Sequence, residues 1–420
     1  MLKAIYGTKD VLPKDIAKWY YVENLVREIF SSFNYAEIRT PLFEETGLFS
    51  RSIGEETDIV SKEMYTFVDR GETSITLRPE MTASVVRAFV EHSLGSQSSL
   101  TKLFYIAPMF RQERPQAGRL RQFHQFGAEV LGSASPLLDA EIIILAYSIL
   151  KSLGLHDLSV KINSLGIASS RKAYTALLKE YLNPKLNELS EESKKRFENN
   201  VLRIFDSKSE NDIEIMKGAP KLVDHLDEES LKEFQVVQNI LTAEHIPFVL
   251  DSSLVRGLDY YSKTTFEIVS GKVGSQSALC GGGRYDGLIE LLGGTPNYAV
   301  GFAAGIERIL LALQNEKTQL PESAPLDVYV VLLNKELMNE YYFFASSLRK
   351  NNYKVEIDYL SRSVKAQMRE ANKLQAKFVV LFGGDEYEHK NVMLKNMSTG
   401  SQQEIPLVEA DKEISNLIGA

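Results

Sequence analysis

Between Met109 and Gln122 four arginines, Arg111, Arg114, Arg119 and Arg121, crowd into one short segment with a single acid, Glu113. Clustered guanidinium groups suit phosphate and carboxylate oxygens, because each presents a planar fork of donors. Two runs that read as strands, Lys102 to Arg111 and Gln122 to Leu131, flank the cluster. The loop around Pro115 to Arg119 joins them into a hairpin. Side chains alternate along a strand, so Arg111 and Glu113 share one face, and Phe123, Gln125, Gly127 and Glu129 share one face of the second run. Two readings fit this polar face. One is a structural ion-pair network; the other is a pocket in which an arginine binds phosphate, a ring stacks on a base, and a carboxylate with an amide reads a small polar ligand. His124, opposite with Phe126, Ala128 and Val130, reads as a packed, hydrogen-bonded histidine rather than a catalytic base.

The elements that must position this hairpin are mixed. Asp15 to Ser31 is an amphipathic helix whose stripe of Trp19, Val22, Leu25, Val26 and Phe30 packs on a sheet. Lys- and Glu-rich helical sequence over 169–226, broken at Pro184 and Pro220, reads as an insertion. Strands follow at Phe248 to Leu250, Thr264 to Val269 and Asn297 to Ala303, then an apolar helix from Ile306 to Leu313. Gln314 to Pro325 has a linker's composition. Beyond it, Asp327 to Leu333, Lys335 to Asn351, Lys354 to Asp358, Ser363 to Ala376 and Lys377 to Phe382 alternate strand and helix, the pattern of a small α/β domain with a mainly parallel or mixed sheet. The expected domains are therefore 1–320 and 326–420.

Composition narrows the function. The chain has 420 residues and a formal charge of −8, which argues against a general nucleic-acid binder while leaving room for a local basic site. Cys280 is the only cysteine, and the six histidines show no metal-ligand spacing, so neither a disulfide nor a protein-built metal site is expected. With no secretory leader and no membrane-length apolar run, a cytoplasmic protein without membrane contact is expected.

The run Phe110-Arg111-Gln112-Glu113-Arg114-Pro115, followed by Gly118-Arg119-Leu120-Arg121-Gln122-Phe123-His124-Gln125, resembles the second signature motif of class II aminoacyl-tRNA synthetases in the histidyl form. The resemblance implies that Arg111 binds the ATP α-phosphate and the amino-acid carboxylate, Glu113 and Arg119 belong to the ATP site, and Phe123 stacks on adenine. It puts Arg114, Gln116 and Arg121, with Arg119, in the loop that meets the tRNA acceptor end. Arg39-Thr40-Pro41-Leu42-Phe43-Glu44 resembles the first motif, found at a homodimer interface, although a proline opening a strand is common by itself. Leu77-Arg78-Pro79-Glu80-Met81-Thr82 implies contacts of Glu80 and Thr82 with the substrate amino group; Met81 stands where many relatives have glycine, which bears on local backbone shape. A threonine at such a place is otherwise most often a helix cap.

Leu254-Val255-Arg256-Gly257-Leu258-Asp259-Tyr260-Tyr261 resembles the segment that sets histidyl enzymes apart. It implies catalysis by Arg256 together with Arg111, the guanidinium of Arg256 facing the α-phosphate; read locally, a structural salt bridge is as good an account of Arg256. By the same resemblance Tyr260, Tyr261 and Tyr285 surround the histidine with Gln125 and Glu129, an anionic Glu129 accepting from one imidazole nitrogen while a tyrosine serves the other. The triple glycine before Tyr285 is not a phosphate loop, since no Gly-Lys-Ser/Thr follows it. Ala299 to Arg308 resembles the third motif and implies that Arg308 reaches the γ-phosphate, against a plain strand–helix turn with a surface arginine.

The implied fold is α/β (α+β): a largely antiparallel sheet flanked by helices, a helical insertion, and a C-terminal α/β anticodon-binding domain. The implied activity is activation of L-histidine by ATP with Mg2+ and transfer to the 3′ end of tRNA(His) by a homodimer. The rivals are a regulatory partner of an ATP phosphoribosyltransferase, a tRNA-sensing module and an adenylate-forming enzyme without tRNA transfer.

Overall fold

The computed structural model describes every residue except Met1, Glu55, Glu56, Asp58, 256–259, 272–277, Ser323, Gly419 and Ala420. The chain divides into two compact units, Met1–Pro321 and Glu322–Ala420.

The first unit is organised by an eight-stranded sheet among the described residues. Its strands are β1 (Ala36–Glu37), β5 (Thr101–Phe110), β6 (Gln122–Leu131), β7 (Leu158–Ser164), β8 (Phe248–Leu250), β9 (Ser262–Ser270), β10 (Ala278–Arg284) and β11 (Ala299–Gly305), in the order β1-β5-β6-β11-β10-β9-β7-β8. Only the outer pairs, β1 with β5 and β7 with β8, run parallel. A smaller antiparallel sheet is formed by β2 (Phe43–Glu45), β3 (Tyr65–Val68) and β4 (Ser74–Leu77).

One face of the large sheet carries the main core. The helix Pro13–Ser32 buries Val22, Val26 and Phe30, and Phe30 stacks on Phe104 at 4.6 Å. Apolar residues four apart recur on one helical face, which is why this stripe meets the sheet. The helix Pro136–Ser152, started by the Ser135 hydroxyl accepting from Leu137 N and by a proline, is apolar nearly all round and lies in the same core. From β6, Phe126, Ala128 and Val130 enter this core while Gln125, Gly127 and Glu129 point to the opposite face.

The described structure departs from the sequence expectations in the hairpin and adds detail at the triple glycine and at His124. The first hairpin strand ends at Phe110, so Arg111 and Glu113 lie in the connection rather than on a strand face; past Arg111 N, which still bonds Arg121 O, the next bond in the turn is between Gln116 and Arg119. The triple glycine is the middle of β10, between β9 and β11, although glycine is disfavoured in strands. His124 is not wholly in the core: it packs edge-on against Trp19 and pairs with Glu307 at the rim.

The insertion comprises the helices Ala168–Leu182, Glu191–Asn199 and Glu210–Lys217 with short 3-10 turns between them. It has its own apolar cluster, including Tyr174, Leu178, Phe197 and Met216. Burial alone would raise the Asp212 pKa, but hydroxyl donors from Ser190, Ser193 and Ser207 outweigh it and hold the group at about 2.

The second unit is a five-stranded mixed sheet of β12 (Val328–Leu332), β13 (Val355–Ile357), β14 (Phe378–Phe382), β15 (Asn391–Asn396) and β16 (Gln402–Pro406), ordered β13-β12-β14-β15-β16. The first three are parallel and joined by helices, and the last two add an antiparallel hairpin that the alternation before Phe382 does not announce. In the described residues no helix is long and apolar enough to cross a membrane.

Candidate active site

The floor of the site is a row of positions with small side chains or none. Cross-strand register places Gly301 opposite Glu129, Ala303 opposite Gly127, Gly305 opposite Gln125, and Gly281 opposite Ala303. Two of these glycines are dictated by what lies over them. A Cβ on Gly301 would fall 1.8 Å from Glu129 Oε2, and one on Gly127 would fall 2.4 Å from the Tyr105 hydroxyl. The side chains of Glu129 and Tyr105 therefore reach across the sheet through space that other residues would fill.

A cavity of about 200 Å³ opens above this floor, and its lining includes Glu80, Thr82, Arg111, Glu113, Arg119, Phe123, Gln125, Tyr260, Tyr261, Tyr285 and Arg308. The lining falls into two groups. The first is acidic and hydroxyl-bearing, and beneath it Glu129, 0% exposed, accepts from the hydroxyls of two lining residues, Tyr285 at 2.5 Å and Thr82 at 2.8 Å. Burial pushes its pKa up to about 8, with the nearby Glu80 carboxyl adding to the shift and the hydrogen bonds only partly opposing it. Burial thus works against the anionic form in which Glu129 is expected to accept. Glu80 is also raised by burial, although it accepts from the backbone N–H groups of Thr82 and Ala83 at 2.7 and 2.9 Å. The first N–H groups of the helix Thr82–Glu91, whose N-cap is Met81, are therefore bound by the Glu80 carboxyl and not by the Thr82 hydroxyl. Met81 has an ordinary right-handed backbone conformation and is buried in apolar neighbours, so no glycine is required there. The side-chain oxygen of Gln125, at the cavity wall, has no partner among the described residues.

The second group is cationic and aromatic. Arg111 donates through Nε to Pro79 O at 2.9 Å and lies 5.3 Å over the Phe123 ring. Arg308 is held by the carbonyls of Gly118 and Ala278. Its pKa is lowered, first by burial and then by the neighbouring Arg119 charge, as expected of cations gathered before an anion arrives. Arg119 pairs with Glu113 at 3.2 Å. Arg111 connects the two groups, since its charge acts on both Glu80 and Arg308.

Arg114 and Gln116 are exposed in the hairpin connection and do not line the cavity. Arg121 turns away: its N–H donates to Gly7 O at 2.7 Å and its guanidinium lies over Tyr6. Arg256 lies outside the described residues. Several supporting residues were not singled out from the sequence. Tyr105 has the same parity as Arg111 along the first strand, and extending the alternation backward reaches it. Glu307 lines the cavity and accepts from both the backbone N–H and ring Nδ1 of His124. Arg284, buried beside Tyr285, is bound by Asp139, Asp286 and the carbonyls of Ser133 and Ser135, which fixes the strand end that presents Tyr285. No local signal links Asp139 to Arg284, 145 positions later.

Comparison with known proteins bears on this arrangement. A family model described as histidyl-tRNA synthetase matches residues 7–309, and one described as an anticodon binding domain matches residues 327–417. The chain belongs to the histidyl-tRNA synthetase family. It is 49% identical to the histidine–tRNA ligase of Caldanaerobacter subterraneus subsp. tengcongensis over 99% of this chain and 100% of that relative. It is 46% identical to that of Clostridioides difficile over 99% of both. The apo histidyl-tRNA synthetase structure from S. aureus superposes with a TM-score of 0.84 at 39% identity, covering 99% of this chain and 100% of that one. A Bacillus halodurans structure described as an ATP phosphoribosyltransferase regulatory subunit/histidyl-tRNA synthetase shares the fold, with a TM-score of 0.64 at 22% identity.

The Glu129 shift has a testable sign. Its folded-state pKa is raised, so the stability carried by the neutral form is fully present below the ordinary carboxylate value and is lost as pH rises through about 8. Thermal unfolding followed by fluorescence of Trp19, the only tryptophan, should decline between about pH 5 and about pH 9 more steeply in the wild type than in Glu129→Gln. Parallel profiles would mean that Glu129 is ionised throughout.

Proposed function

We infer that the chain is an aminoacyl-tRNA ligase that activates L-histidine with ATP, giving histidyl-adenylate and pyrophosphate, and passes the histidyl group to the 3′ end of tRNA(His). The observation that carries this reading is one cavity with two chemically different linings, which match the two substrates of such a reaction. An ammonium group suits the Glu80 and Thr82 side. An imidazole, with one donor and one acceptor nitrogen, suits Glu129, Gln125 and the tyrosines Tyr260, Tyr261 and Tyr285. The substrate ammonium beside Glu80 favours loss of that carboxyl's proton, so the site exchanges a buried neutral acid for a buried pair.

ATP suits the other side, where Phe123 offers a ring face to adenine and Arg111, Arg119 and Arg308 offer donors to the phosphates. Mg2+ belongs to the substrate as MgATP, a hard cation that retains phosphate oxygens and water as ligands. In the reaction a histidine carboxylate oxygen forms a bond to the α-phosphorus and the bond to the β-phosphate oxygen breaks, releasing pyrophosphate with the electron pair. Arg111, between the two groups, neutralises charge on the α-phosphate, and Arg256 is assigned the same duty from sequence alone. For the ring of Arg119 contacts to open onto ATP, its pair with Glu113 must exchange for phosphate.

The larger partners rest on exposed features. The small sheet presents apolar residues to solvent, with Phe43 53% and Val68 66% exposed beside Leu42 and Phe67, a surface suited to a second copy of the chain. In the C-terminal unit a cleft of about 320 Å³ lies beyond the ends of β12 and β13, and Tyr359 on its rim is 66% exposed. An open ring beside a cleft suits an unstacked base of an anticodon, while Arg114 and Gln116 suit the acceptor end.

ATP/pyrophosphate exchange should depend on histidine and not on the other nineteen amino acids, and Arg256→Ala should slow it by about 100-fold or more. Exchange without histidine would refute the substrate, and exchange within a few-fold of wild type would remove Arg256 from the chemistry. In sedimentation velocity, Phe43→Asp is expected to convert a dimer into a monomer; a dimer that persists would place the interface elsewhere. Tyr359→Ala should weaken tRNA binding by roughly tenfold at fixed salt, the size expected for loss of one stacked base. Unchanged binding would remove Tyr359 from the contact.

A further inference from the structure

Arg171 lies near the start of the helix Ala168–Leu182, the first helix of the insertion, yet its side chain does not serve the insertion. Its Nη1 donates to the backbone carbonyl of Tyr261 at 2.5 Å, and burial lowers its pKa. Among the described residues its guanidinium makes this one hydrogen bond, and a partly desolvated cation spent on a carbonyl holds that carbonyl in place.

The tethered segment borders the cavity. Tyr260 and Tyr261 both line it, with ring centroids 4.7 Å apart, and Tyr260 lies 5.6 Å from Tyr285, the partner of Glu129. The Tyr261 ring is buried in the insertion's own apolar cluster with Leu165, Tyr174 and Leu178, and Tyr260 packs against both this cluster and the one around Met81 and Tyr285. Just beyond, Lys263 exchanges backbone hydrogen bonds with Leu165 and Gly166 while holding a left-handed conformation, φ +47°. The strand entrance that carries the two tyrosines is thus attached to the base of the insertion by a side chain, by apolar packing and by backbone bonds.

We propose that Arg171 is a positioning residue for the amino-acid pocket, through which the helical insertion sets the affinity for histidine. Resting on histidine as the occupant of that pocket, the assignment makes the insertion part of substrate binding. Losing the tether frees the Tyr260–Tyr261 backbone and loosens one wall of the pocket, while the arginine cluster that faces ATP keeps its own supports, the carbonyls of Pro79, Gly118 and Ala278.

The test compares Arg171→Gln, Arg171→Lys and Ser170→Ala, the last removing the hydrogen bond that Ser170, next to Arg171 on the same helix, donates to Asp227. In ATP/pyrophosphate exchange, Arg171→Gln should raise the KM for histidine roughly tenfold and leave the KM for ATP within about twofold. Arg171→Lys, which keeps a cationic donor, should recover part of the loss, and Ser170→Ala should match wild type. A histidine KM within about twofold of wild type in Arg171→Gln, or histidine and ATP KM values rising together, would overturn the assignment. Hydrogen–deuterium exchange in peptides spanning Tyr260 to Thr264 reads the tether without ligand: faster exchange in Arg171→Gln supports it and unchanged exchange refutes it. If the wild type shows no histidine-dependent exchange, the substrate reading fails, and the deuterium measurement still decides whether Arg171 orders this segment.

Discussion

A carboxyl group with no solvent exposure, lying across a strand position that has no side chain, constrains the whole site. Glu129 reaches over Gly301, and its two oxygens are taken by hydroxyls from separate parts of the chain, Thr82 at a helix start and Tyr285 beyond the end of β10. Each support must be placed to within a hydrogen bond's tolerance, because a buried carboxyl without donors is costly. The supports have supports of their own. Arg284 is bound to Asp139 on the core side, Tyr285 N donates to Ala299 O, and Glu80 holds the first N–H groups of the helix that carries Thr82. The sheet's register is the common reference for all of them.

The same sheet separates two electrostatic regimes within one cavity. On the carboxyl side, burial raises Glu80 and Glu129 and so favours their neutral forms. On the arginine side, burial and mutual repulsion lower Arg308. Burial therefore works against the charged form on both sides, against anions at the acids and against cations at the arginines. Arg111 stands where the two meet, anchored to Pro79 O one residue before Glu80. Arg78, the residue before that proline, is buried and donates to Thr40 O, Pro41 O and Pro108 O. The segment 78–82 therefore joins the small sheet's approach, the hairpin and the acidic side of the cavity in five consecutive residues.

Much of this was legible in the residues. The arginine cluster, the alternation of Gln125, Gly127 and Glu129 on one face, and the stripe Val22, Val26 and Phe30 are local periodicities, and the backbone geometry of strands and helices converts them directly into faces. The strand through the triple glycine was not legible, since glycine carries no strand preference; its reason is a sheet position where Gly282 passes within a Cβ's reach of the Gly301 carbonyl. Tyr105 was within reach of the alternation argument. Arg171 was not, because its helix reads as an ordinary charged surface helix and its target lies 90 positions away.

Residue order was enough to establish the histidyl-tRNA synthetase family, the two α/β portions and the chemical types gathered in the site, because motif spacing and side-chain periodicity are properties of neighbouring residues. Protonation and partnership were decided only on folding. Glu129 reads as an anion until its burial is known, Arg121 reads as one more loop cation until it is found against Gly7 and Tyr6, and Glu80 reads as a free counter-ion until it is found binding the first N–H groups of a helix. Each of these outcomes depends on desolvation or on a contact between distant segments, and desolvation has no value until the chain has closed around the group.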